Sequence, residues 1–218
     1  MKTNQDYKNA ALDRLRGNWA PAVVATLIYA VIAMLCSGNE FLPTLLHMSG
    51  GAQMVLAGCT TLLSIFVLDP LQVGYDNAVR LMYERRDYRL TGNLIGLSLS
   101  GYLHKVAGMF LMVVKVLLWT CLLFIPGLIM AYAYALTPYI LEEHPEIGAW
   151  SASTRSREMM RGHKFDLFYL HLSFLGWILL GILTCGIGLL WVIPYLNAAQ
   201  AAFYNDVKAA CGEPAALV

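Results

Sequence analysis

The chain is short of charge. Asp, Glu, Lys and Arg make up only 13% of its 218 residues, against 58% hydrophobic residues. A soluble domain carries about 25% charged residues, and a soluble protein of this size could not cover its surface with so few. The net charge is +1, so overall charge calls for no acidic partner and no nucleic acid. What matters is where the charges sit.

Catalytic signatures are also missing. The sequence contains no HExxH, no GxSxG and no GxxxxGK[ST], the spacings that zinc peptidases, serine hydrolases and P-loop enzymes need. No enzymatic activity and no cofactor are expected. The five cysteines (Cys36, Cys59, Cys121, Cys185 and Cys211) form no CxxC pair and have no histidine at zinc spacing, which argues against a metal site. They read as small apolar residues in helices. Cys36, Cys121 and Cys185 fall near one face of the topology set out below, and whether they pair stays open. The run EEHPE (Glu142 to Glu146) clusters acids around a histidine, but Pro145 breaks a helix there, so it reads as a solvated interfacial loop. A cleavable leader is not expected, because a polar stretch precedes the first apolar run and no small-residue site closes it.

What the chain does have is apolar length. A spanning helix needs about 20 mainly apolar residues, and six such segments lie near 19–37, 53–75, 103–125, 127–142, 165–184 and 187–205. The expected fold is therefore all-α: a single polytopic transmembrane bundle over residues 1–218, with a segment at 1–18 before it and a tail at 206–218. Only a few residues join spans three and four, or spans five and six, so each of these pairs should be an antiparallel hairpin. Of the 15 Lys and Arg residues, every one except Lys115 lies before span one, between spans two and three, between four and five, or after six. Basic residues mark the cytoplasmic side, so both ends are placed there, in a plasma membrane.

The hairpins resemble one another. ALDRLRGNWAPAV, LSLSGYLHKVAGMF and SREMMRGHKFDLF each lead through a glycine (Gly17, Gly101, Gly162) into a span. The second span of each pair carries a proline (Pro70, Pro138, Pro194) with a tyrosine near it (Tyr75, Tyr139, Tyr195). This suggests three copies of amphipathic segment, span, turn and proline-bearing span. In the first segment Tyr7, Ala11, Leu15 and Trp19 recur on one helical face, and Thr3 with Asp6 resembles a capping box. Such a helix lies in the headgroup plane or packs under the bundle, and the sequence leaves both open.

Polar residues inside spans are costly and often functional. Five are candidates: Asp69 in span two, Lys115 in span three, His171 in span five, and Asn197 and Gln200 on one face of span six. One reading pairs Asp69 with Lys115 and sets the other three nearby as a polar path or lipid-headgroup site. The other treats them as a structural ion pair and interhelical hydrogen bonds, with Lys115 snorkelling along its stem.

The segments LRGNW (15–19), DPLQVGY (69–75), FIPGLI (124–129), RGHKFDLFYLHLSFLGWILL (161–180), GIGLLWVIPY (186–195) and AAFYNDV (201–207) come in an order that resembles a bacterial integral-membrane family, domain of unknown function number 975. Asp69 departs from it, since that family more often has a small residue before Pro-Leu. The family is in turn distantly similar to membrane domains fused to some glycerophosphodiester phosphodiesterases, which carry no catalytic residues of their own. The resemblance implies the fold and a bacterial plasma-membrane address, but no activity. The expected function is binding or moving a lipid or small amphiphile, with membrane lipids as partners. The alternative is a scaffold or accessory protein that docks a membrane or cytoplasmic protein partner through its basic segments.

Overall fold

The computed structural model of the chain describes residues 3–36, 50–84, 101–122 and 124–212, and all regular structure among them is helical. Arg85, Arg86, Arg89, Lys2, the segment at 38–49 and the last residues of the tail lie outside the described residues.

Helix α1 (Asn4–Leu15) opens with the expected box: Thr3 N–H donates to Asp6 Oδ2 at 2.8 Å, and Asp6 N–H donates to Thr3 Oγ1 at 3.3 Å. Its stripe of Tyr7, Ala11 and Leu15 is buried in protein, so the helix packs on the bundle instead of lying free in a headgroup layer. The other helices follow. α2 is Trp19–Cys36, and α3 (Gly50–Leu63) runs through a π-helical turn at Ser64–Leu68 into α4 (Asp69–Glu84). α5 is Tyr102–Leu122, α6 Phe124–Ala133, α7 Thr137–Glu143, α8 Ala149–Met159, α9 Lys164–Leu183 and α10 Leu189–Ala210.

Among the described residues, four stretches are long and apolar enough to cross a membrane: α2, the continuous Gly50–Glu84 rod, α5 and α9. They match predicted spans one, two, three and five. The predicted fourth span is not one helix. It divides into α6 and α7 at residues 134–136, because Pro138 has no N–H to give to the carbonyl of Tyr134 four residues back and sits instead in the first turn of α7, where no N–H is needed. Ser156 of α8 satisfies the backbone at this break, donating to Ala133 O at 3.0 Å and accepting from Leu136 N–H at 3.2 Å. The predicted sixth span is α10, whose interior Asn197 and Gln200 lower its apolarity.

The π turn precedes Pro70 for a related reason. Pro70 frees the carbonyl of Phe66, four residues back, and the Tyr102 hydroxyl donates to that carbonyl. This is how proline is tolerated within apolar helices.

α2 packs on α4, α5 on α6 and α7, and α9 on α10. Gly17, Gly101 and Gly162 have φ of 88°, 58° and 89°, the left-handed region that glycine enters without steric cost. The three positions aligned from sequence thus share one backbone state. The core gathers where α1, α4, α7 and α10 meet, around Tyr75, Tyr139, Phe203 and Tyr204. The outer faces of α3, α5 and α9 stay apolar and exposed.

Candidate functional site

Three groups of polar residues are built into this frame, and the five sequence candidates divide among them.

The first is a seam across α4 and α10. Asp69, Gln72 and Asp76 fall on one face of α4 at i, i+3 and i+7. Asp76 is buried, and its Oδ1 accepts from Gln72 Nε2 at 2.9 Å and from Asn197 Nδ2 at 3.4 Å. Thr26 Oγ1 donates to Ala22 O at 2.8 Å and so accepts from the Tyr75 hydroxyl at 2.7 Å. Tyr29 stacks on Tyr75 with ring centres 5.6 Å apart. Gln200, one turn beyond Asn197, lies beside His171, whose Nδ1 is 3.4 Å from the Tyr132 hydroxyl. The seam therefore joins Asn197, Gln200 and His171. Asp69 stands at its edge, half-buried and without an ion pair among the described residues.

The second group is an ionic knot at the ends of α4, α7 and α10. Glu143 accepts from Lys208 and, at 2.5 Å, from the Tyr204 hydroxyl, with Arg80 Nη1 3.9 Å away. Arg80 also pairs with Glu84 at 3.2 Å and donates to Asn77 Oδ1 at 3.2 Å. Asn77 Nδ2 then donates to Pro138 O at 3.1 Å, which ties α4 to α7. Lys105 at the start of α5 pairs with Glu142. Burial alone pushes the Glu143 carboxyl up, but hydrogen bonds from Lys208 and Tyr204 and the Arg80 charge outweigh it and hold the group below the ordinary carboxylate range. The reading of EEHPE as a solvated loop is corrected for its first two residues. Glu142 and Glu143 end a helix whose partners bring buried cations to them, and sequence gave no sign of those partners.

The third group surrounds Lys115. Its Nζ donates to Ser153 Oγ at 2.5 Å and sits 3.7 Å from the Trp150 ring and 5.5 Å from the Tyr134 ring. The expected Asp69–Lys115 pair is not formed. The reason is α8, which packs along α5 and places Ser153 and Trp150 over the ammonium. A cleft of about 340 Å³ is lined here by Lys115, Trp119, Tyr134, Trp150, Thr154 and Arg157. Arg157 is the charge that bears on Lys115, and neither cation has an acidic partner among the described residues.

Sequence reasoning missed Asp76, Trp150, Ser153 and Arg157. Asp76 was within reach of the pattern, two turns from Asp69 on the same face. The other three depend on how α8 packs, which no local spacing encodes. All five cysteines are free, and no grouping of His, Cys, Asp and Glu among the described residues could hold a metal ion.

Comparison with curated proteins finds no match, and comparison with solved structures finds none. Residues 90–211 match a family described as protein of unknown function (DUF975). The match covers more than half of the chain, including α5 to α10 and with them the cleft and the Lys105, Glu142, Glu143, Tyr204 and Lys208 members of the knot: the chain belongs to this family.

Proposed function

We propose that this is a non-enzymatic integral membrane protein of the bacterial plasma membrane, which binds the anionic headgroup of a lipid or small amphiphile in the Lys115–Arg157 cleft. Its six spans form three related hairpins, and both ends lie on the cytoplasmic side. The shared positive φ of Gly17, Gly101 and Gly162 supports the repeat. The knot supports the topology, since it gathers Arg80, Lys105, Glu142, Glu143 and Lys208 at one end of the bundle.

One observation carries the binding reading. Two cations without acidic partners among the described residues share a cleft walled by two tryptophans and a tyrosine, between helices whose outer faces are apolar. Trp150 is 65% exposed, and amphipathic rings of this kind favour the membrane–water interface. An anion entering the cleft would gain charge-assisted hydrogen bonds, each worth about 1.5–3 kcal/mol. Binding is favoured over passage because Lys115 stands apart from the seam that holds Asp69, His171, Asn197 and Gln200. The scaffold reading is weaker, because Arg80, Lys105 and Lys208 are committed to internal carboxylates.

The test is headgroup selectivity in nanodiscs of fluorescent phosphatidylglycerol or phosphatidylcholine. The intact protein should prefer the anionic lipid. Lys115→Met and Arg157→Gln should each weaken that preference by about tenfold, which corresponds to roughly 1.4 kcal/mol. Competition by inorganic phosphate would separate a headgroup site from a general anion site. Unchanged selectivity in both variants would remove the cleft from the mechanism.

A further inference from the structure

Asp76 is a buried carboxyl that the cleft does not use. Its Oδ1 takes two neutral amide donors, Gln72 and Asn197. Its Oδ2 accepts no hydrogen bond among the described residues. The groups around it are uncharged or acidic: Tyr29 from α2, Tyr139 from α7, Asn197 from α10, and Tyr75 and Asp69 from α4 itself. The nearest cation along the helix, Arg80, is held one turn away by Asn77, Glu84 and Glu143. A carboxylate in such a place, only 9% exposed, keeps little of its hydration and meets no counter-ion among the described residues, and two neutral hydrogen bonds do not offset that loss.

We propose that Asp76 is a proton-binding site whose occupancy is linked to the packing of α4 against α10. With the two helices closed, the proton sits on Oδ2 while Oδ1 keeps its two amide donors. Parting the helices removes Asn197, admits water and lets the proton leave toward the cytoplasmic end. The ligand is the proton itself, and the coupled motion is between the first and third hairpins. This inference rests on the membrane reading above but not on headgroup binding at Lys115.

Dicyclohexylcarbodiimide tests it. The reagent partitions into apolar regions and reacts with protonated carboxyls. The acid proton passes to a carbodiimide nitrogen, the carboxyl oxygen adds to the central carbon, and rearrangement leaves a stable N-acylurea. In the full chain in nanodiscs, peptide mass spectrometry should find the adduct on Asp76, declining as pH is raised. The adduct should disappear in Asp76→Asn, persist in Asp76→Glu and persist on Asp76 in Asp69→Asn. A cooperative melt by circular dichroism would show that each variant is folded, and phosphatidylglycerol selectivity would then test the headgroup reading separately. Absence of the adduct from folded wild type would overturn the proposal, whether or not that protein selects anionic lipid. So would protection by sodium and not by choline at constant pH, which would make Asp76 a metal-cation site.

Discussion

Glu143 shows how much one side chain can hold together. It collects Lys208 and Tyr204 from α10 and Arg80 from α4 at the end of α7. Removing one partner of a buried ion pair costs about 3 kcal/mol; here Arg80 would keep Glu84, while Lys208 would lose the carboxylate that replaces its water. Glu143→Gln is therefore expected to lose about that much stability, read as a lower thermal midpoint by circular dichroism in detergent. The acid dependence follows from the direction of the shift. A carboxyl held below its unfolded value stabilises the fold above the ordinary carboxylate range, and that stability is lost as pH falls through the folded value. Wild type should approach the Glu143→Gln midpoint on acidification, while the variant's own midpoint changes less over the same window. A constant gap between the two would detach Glu143 from the acid limb. This residue was the least legible from sequence. EEHPE announces its charges but not the partners of Glu143, which lie more than 60 positions away along the chain in either direction.

At the scale of elements, sequence spoke clearly wherever a pattern was local. The Tyr7, Ala11 and Leu15 stripe and the Thr3–Asp6 box became a capped helix with that stripe buried. Span one was bounded to within a residue of α2. The break between α6 and α7 was not foreseen, although Pro138 stood in the segment, because apolarity is blind to a missing N–H. The glycines before each hairpin were legible as a recurring motif, and their backbone state gives the motif a cause. Gly162 has φ of 89°, and a Cβ built on it meets nothing within 4 Å. The cost of Gly162→Ala is therefore that of left-handed backbone alone, about 1 kcal/mol. Gly176 also has open space around an added Cβ but lies within α9 with ordinary helical φ, so Gly176→Ala should be neutral or stabilising. Parallel melts of the two variants give the comparison. Equal losses would mean that the turn at Gly162 tolerates a side chain and is not what directs the chain into α9.

For the whole molecule, the placement of Lys and Arg argues for a topology that labelling has to test, while the relation between the polar candidates did not survive assembly. Lys115 was separated from Asp69 by the packing of a helix, α8, that sequence places only loosely. The segment that most rewards an independent test is α10, which forms the core with α1 and α4 yet is too polar to count among the four described stretches that are apolar enough to cross a membrane. Its 22 residues rise about 33 Å at 1.5 Å each, enough for a hydrocarbon layer of about 30 Å. Two exposed cysteines bracket it: Cys185 in the turn before it and Cys211 just after it. In variants keeping one of these and no other cysteine, a membrane-impermeant maleimide added to intact cells should label Cys185 and spare Cys211. Permeabilisation should then expose Cys211. Cys59 and Cys121 are exposed on apolar helices, so their removal should not disturb the packing. Labelling of both from outside, or of neither, would mean that α10 does not cross. In that case the seam between Asp76 and Asn197 would lie on one side of the membrane and not within it. The reverse pattern would keep the crossing and invert the chain, moving the ionic knot to the outer face.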